Sequence, residues 1–114
     1  MLDKEFTYTT SQGAKEGTLI LKLVGPFTLG NMFGLQSELR TMTPSALIMD
    51  LVEVPYMDSA ALGVIMNFYV SAQNGGRKFF LAGVNDRVRA LFEMTKVDSV
   101  LQIFQSVESA RAAV

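Results

Sequence analysis

Residues 47–74, LIMDLVEVPYMDSAALGVIMNFYVSAQN, decide how the chain of 114 residues is read. The run from Leu47 to Val52 is apolar except at Asp50, too short for a helix and rich in branched side chains, the pattern of a strand covered on at least one face. Pro55 ends it. From Leu62 the apolar residues Leu62, Ile65, Met66, Tyr69 and Val70 recur at helical spacing until Asn74, Gly75 and Gly76 supply a C-terminal stop. Asp58 and Ser59 therefore fall on the junction between strand and helix. A serine there can cap the helix, and its hydroxyl lies at the surface end of a strand-turn-helix unit, where a partner can reach it.

Working outward, residues 6–10 alternate and carry β-formers, and residues 18–24 do so more strongly, with Leu19, Leu21 and Leu23 on one face and Ile20, Lys22 and Val24 on the other. SQGAKEG between them is a turn, so the two make a hairpin. After the loop 25–30, Asn31 is the expected cap of a helix carrying Met32, Leu35 and Leu39 that ends before Pro44. Beyond the central unit, residues 78–84 read as a strand, and Asn85 caps a helix with Val88, Leu91, Phe92 and Thr95. Residues 100–104 read as a last short strand. Ser106 starts a terminal helix with Glu108 in its first turn, where the helix dipole favours an acid. Strands alternating with helices predict an α/β fold: a mixed sheet whose later strands are parallel, with the N-terminal hairpin adding an antiparallel partner. The loops at residues 25–31, 53–59 and 83–87 then gather at the carboxyl ends of the strands, where open α/β folds collect their functional groups.

Composition narrows the chemistry. The 114 residues fit one domain, 1–114, long enough to bury about two thirds of the unfolded chain's surface. Cysteine, histidine and tryptophan are absent, which removes thiol nucleophiles, disulfides, cysteine metal sites and most acid–base catalysts. A net charge of -1 without a block of like charges argues against a general nucleic-acid or anionic-membrane binder. Apolar content is 49%, with seven methionines, and a well-filled core accounts for it better than an exposed patch. MLDKEF is neither a signal peptide nor a transit sequence, and the longest uncharged apolar run, residues 60–66, falls far short of the ~20 residues of a membrane span, so a cytoplasmic protein is expected.

Three stretches, LILKLVGPFTLGNMFGLQSEL, LIMDLVEV followed by YMDSAALGVIM, and GGRKFFLAGVNDRVRALFEMTKVDSVLQIFQS, together resemble a STAS domain of the anti-sigma factor antagonist type. The likeness covers nearly the whole chain. Its most specific element is Met57-Asp58-Ser59 followed by small residues and Leu62-Gly63. The resemblance implies a STAS-like mixed sheet of four to five strands with about four helices, no cofactor and no catalytic residue. It further implies that Ser59 is phosphorylated by a partner anti-sigma factor, a serine kinase with an ATP-binding histidine-kinase-like fold. The unphosphorylated domain binds that partner and frees the sigma factor, phosphorylation ends the binding, and a phosphatase restores it. The implied partner surface is Asp58, Ala60, Thr28 and Asn31. This sequence departs from the family pattern in two places. Ala60 and Ala61 stand where a further serine and a glycine are usual, and the first loop reads Gly25-Pro26-Phe27-Thr28 in place of glycine-glutamate-leucine-aspartate.

Other readings of the same residues are weaker. Asp50, Glu53 and Asp58 would need to converge from separate strand ends with a positioned base to hold a metal, and a solvated acidic edge fits them better. Asp58 as a turn residue bonding nearby backbone is compatible with a partner contact. Arg87, Arg89 and Lys96 read as an exposed helix face, and Phe27 and Phe33 as packing. Ser59 has no histidine to activate it, and no phosphate-cradling GxxxxGK[ST] occurs, so Ser59 is read as a substrate and the protein as no enzyme. Besides the phospho-regulated antagonist, two classes stay open: a non-catalytic STAS subunit or scaffold of a lipid-transport or signalling complex, and a small-ligand binder.

Overall fold

The computed structural model describes residues 5–114. The reading of MLDKEF extends into residues 1–4, which lie outside the described residues. The elements run β1 (Thr7–Gln12), β2 (Thr18–Val24), α1 (Phe33–Leu39), β3 (Ala46–Glu53), α2 (Ser59–Asn74), β4 (Lys78–Ala82), α3 (Asp86–Met94), a 3-10 turn (Val97–Ser99), β5 (Gln102–Phe104) and α4 (Val107–Ala113). They form one five-stranded sheet in the order β1-β2-β3-β4-β5. β1 pairs antiparallel with β2, and the remaining pairs are parallel. This is the mixed α/β sheet expected from the sequence. The strands lie in chain order, so each crossover steps the same way across the sheet, and crossovers of one hand place α1, α2 and α3 on one face.

The period of two sorts the strand residues between two cores. Leu21, Leu23, Leu47, Met49, Leu51, Phe79 and Leu81 pack under α1, α2 and α3. Ile48, Phe80 and Ala82 turn the other way, onto α4 through Ala110 and Val107. α4 meets β3, β4 and β5 and contributes the only helix on its face among the described residues. Ring contacts join α2 to the sheet, where Phe68 meets Phe79 edge-on at 5.0 Å, and β4 to β5, where Phe80 meets Phe104 at 5.1 Å.

Several boundaries differ from expectation. β1 runs two residues further than the alternation suggested, because the ladder to β2 holds as far as Gln12–Leu19. The segment at residues 100–104 follows directly on the 3-10 turn Val97–Ser99, and only Gln102–Phe104 pairs with β4. Thr95 is the C-cap of α3, and Lys96 follows at φ +63, outside the helix face it was assigned to. Val70 is 52% exposed, because the buried stripe of α2 runs through Ala61, Leu62, Ile65, Phe68 and Ala72.

Near the carboxyl ends of β2 and β3, Lys22 lies opposite Asp50 in register and bridges Glu53 at 2.8 Å. The hydrogen bond to Glu53, then its charge, raises the Lys22 pKa above the usual 10.5. A cation whose folded pKa is raised stabilises the fold fully below its unfolded pKa and loses that contribution as pH rises through the folded value. The melting difference between wild type and Lys22→Met is therefore expected to be full at about pH 8 and to shrink as the pH is raised above the ordinary lysine value, with a difference that does not fall at high pH contradicting it.

Candidate functional site

Three loops leave the carboxyl ends of β2, β3 and β4, and each is held by one short polar side chain. In the first, Gly25 turns the chain at φ +99, where an added Cβ would stand 2.8 Å from the Glu5 carbonyl oxygen, so only glycine allows this approach to the N-terminal segment. Phe27 then inserts fully into the core and stacks on Phe6 at 5.1 Å. Its amide donates to the Tyr56 carbonyl at 3.1 Å and its carbonyl accepts from Asp58 N–H at 3.3 Å, a short parallel bridge with Met57 that ties the first loop to the second.

Asp58 completes the tie. Its Oδ1 accepts from Ala61 N–H at 2.9 Å and caps α2, while Oδ2 accepts from Leu29 N–H at 2.9 Å in the neighbouring loop. The cap is thus Asp58, and Ser59 is the first residue of the helix. The extended backbone of Asp58 aims its carboxylate back over the first turn, a geometry that Ser59, already helical, lacks. Asp58→Ala removes the cap and the inter-loop bond together, and is expected to lower stability by about 2 kcal/mol in urea denaturation, with Asp58→Asn, which retains one strong acceptor, losing about half as much. A loss below about 0.5 kcal/mol for the alanine variant would show that the carboxylate does not join the loops.

Asn31 does not cap α1. Met32 occupies the cap position without a side-chain bond, and Asn31 turns into its own loop, accepting from Thr28 N–H at 3.0 Å and donating to the Pro26 carbonyl at 2.8 Å. The loop's own orphan groups lie nearer to its amide than the helix end does. Asn85 caps α3 as expected, accepting from Val88 N–H at 2.8 Å, and its amide also donates to the Val54 and Pro55 carbonyls, tying the third loop to the second.

The structure places Ser59, Asp58, Ala60, Thr28 and Asn31 on two adjoining loops and the first turn of α2. Ser59 is exposed, Asp58, Ala60, Thr28 and Asn31 are half-buried, and the Asp58 and Asn31 bonds place them on the paired first and second loops. Among the described residues, the Ser59 hydroxyl makes no hydrogen bond. Asp58 occupies the Ala61 amide and the Asp58 carbonyl accepts from Leu62 N–H, which leaves the Ser59 and Ala60 amides as the two donors of the first turn without a protein partner among the described residues. The site therefore presents one free hydroxyl, two free N–H groups and the positive end of a sixteen-residue helix beside a committed carboxylate. No group of three or more acidic side chains suited to a metal ion occurs among the described residues, and Asp50 uses Oδ1 to accept from Val52 N–H.

One apolar side chain at this end was misread. Phe27 packs inside as expected, but Phe33 is 59% exposed, and Leu29 is exposed as well. The signal lay in the helical phase: Leu35 and Leu39 set the inner stripe of α1, and Phe33 stands two residues from Leu35, about 200° around the helix. Arg87, expected on a solvated face, lies over the Tyr56 ring at 4.7 Å and closes the third loop against the second.

A STAS domain family model matches residues 10–110. This chain belongs to the STAS domain family. An anti-sigma-B factor antagonist of Listeria monocytogenes is 39% identical over 54 residues, which are 47% of this chain and 47% of that protein. The STAS chain thus spans about half the length of the curated relatives it matches. Among solved structures, an anti-sigma factor antagonist from Mycobacterium paratuberculosis superposes with a TM-score of 0.86 at 18% identity, covering 96% of this chain and 94% of that one. A sulfate transporter family protein from Wolinella succinogenes gives 0.78 at 25% identity over 87% and 85%. The Bacillus cell fate determinant SpoIIAA in its phosphorylated form gives 0.74 at 12% identity over 95% and 100%, a likeness of fold. No helix among the described residues is long and apolar enough to cross a membrane.

Proposed function

We propose that this STAS domain is a cytoplasmic anti-sigma factor antagonist. It binds an ATP-dependent anti-sigma factor serine kinase while Ser59 is unmodified, leaves it when Ser59 is phosphorylated, and is reset by a phosphatase. The observation that carries the reading is the exposed, unbonded hydroxyl of Ser59 on the first turn of α2, beside the free amides of Ser59 and Ala60. Those amides and the helix dipole accommodate a phosphate, so the added charge acts on the interface and not on the fold. With Asp58 adjacent, phosphorylation takes the local charge from about -1 to about -3. A partner surface that accepts one acid and a neutral hydroxyl then meets repulsion and a larger desolvation cost. Asp58, Ala60, Thr28 and Asn31 supply the rest of the contact. Ser59 is the only hydroxyl in the segment Asp58-Ser59-Ala60-Ala61, so a single phosphate is expected there.

The likeness to the transporter family protein supports a second reading, a non-catalytic subunit that keeps its partner permanently. Affinity capture from the native cell, with intact-mass analysis of the bait, separates the two. A fraction of the bait carrying one phosphoryl group, and a captured ATP-binding protein, support the antagonist. Stable co-purification with an unmodified bait in every growth condition supports the subunit.

A further inference from the structure

The free edge of β1 is unlike the rest of the surface. Its six residues, TYTTSQ, contain no charge and no proline, and the ladder to β2 runs without a bulge from Thr7–Val24 to Gln12–Leu19. These are the devices by which natural edge strands prevent pairing with another chain, and β1 has none of them. The opposite edge, β5, is only three residues long. Gly13 N–H donates to the Thr18 carbonyl, and this bond sets the alternation along the strand. Residues 7, 9 and 11 aim their backbone groups at β2, while Tyr8, Thr10 and Gln12 aim theirs outward. Among the described residues those outward groups have no partner.

We propose that β1 is a self-association edge, pairing antiparallel with β1 of a second copy about a two-fold axis at Thr10. That register sets Thr10 against Thr10, and Tyr8 against Gln12 in both directions. It alone uses every outward N–H and C=O of both strands, six bonds in all; moving the axis by one residue leaves four. The occupant is a second copy because the strand is complementary to itself: it is neutral, so nothing repels across the axis, and Thr–Thr is a favourable cross-strand pair. The same register directs Glu5 of one copy toward the turn that carries Lys15 of the other. Beside the edge lies an open groove of about 550 Å³ lined by Tyr8, Thr9, Thr10, Glu38, Thr41 and Met42, which gives the incoming side chains room against α1. The strand edge is distinct from the Ser59 surface, and the inference does not depend on the function proposed for that surface.

Sedimentation equilibrium over a wide concentration range tests it, together with amide exchange of the full chain. The wild type is expected to form a concentration-dependent dimer in which the Tyr8, Thr10 and Gln12 amides become protected as concentration rises. Thr10→Pro deletes an outward donor without touching the β2 ladder, and is expected to weaken the dimer at least about tenfold. Thr10→Lys, which keeps the amide but opposes two cations at the axis, is expected to do the same, with an unchanged melting temperature at concentrations where both proteins are monomers. Thr10→Val should dimerise like wild type. A monomer at all concentrations, a dimer indifferent to both Thr10→Pro and Thr10→Lys, or protection of these amides only by a different protein overturns the proposal.

Discussion

Phe27→Ala is expected to cost about 3–5 kcal/mol, the range for removing a buried aromatic side chain from a core that cannot collapse around the gap. Phe27 is fully buried and stacked on Phe6, and its backbone carries the bridge to Tyr56 and Asp58. The loss is a large share of the roughly 5–15 kcal/mol that holds an ordinary domain together. Its consequence reaches the site, because the ring anchors the loop that bears Thr28, Leu29 and Asn31. Phe27→Leu retains most of the buried volume and is expected to lose under about 2 kcal/mol. Urea denaturation of the two variants checks both values. A cost below about 1 kcal/mol for the alanine variant would mean that the first loop is held by its hydrogen bonds and not by this side chain.

The second large effect falls on binding. Ser59→Asp is expected to weaken the proposed complex with an anti-sigma factor kinase by about tenfold to a hundredfold, and Ser59→Ala to leave it within a few-fold of wild type. The two substitutions differ at the contact by one carboxylate, which must be desolvated beside Asp58 when the partner docks. The fold is not the variable, since an acid in the first turn of a helix is favoured by the dipole. Equal melting temperatures for the two variants confirm that any difference in affinity arises at the interface. Equal affinities would remove charge at Ser59 as the determinant of release.

The strand-to-helix junction at residues 53–59 was legible because two periodicities change there, and Asn85 and Ser106 were found as caps for the same reason. Each cap acts within three residues of itself: Asn85 on Val88, and Ser106 on Ser109. What escaped the sequence is longer in range. The bond from Leu29 N–H to Asp58 spans twenty-nine residues, and no local pattern marks it. Asn31 was misassigned because a short amide satisfies a loop as readily as a helix end, and only the folded loop decides between them. Phe33 was misread for a different reason: composition favours packing for a phenylalanine, whereas the helical phase, also present in the sequence, put it outside. The outward-facing edge of β1 was half legible, its lack of charge visible in TYTTSQ and its hydrogen-bonding phase visible only once Gly13 was seen to bond Thr18.

The central claim is that a phosphate on Ser59 dissolves a complex without disturbing the fold that presents it. The direct measurement is calorimetric titration of the captured kinase with the domain, before and after stoichiometric phosphorylation by that kinase and ATP, with the modified residue assigned by peptide mass. The account predicts one phosphoryl group, on Ser59, and heat of binding from the unmodified form alone. Phosphate on another residue, or the same affinity from both forms, would contradict it.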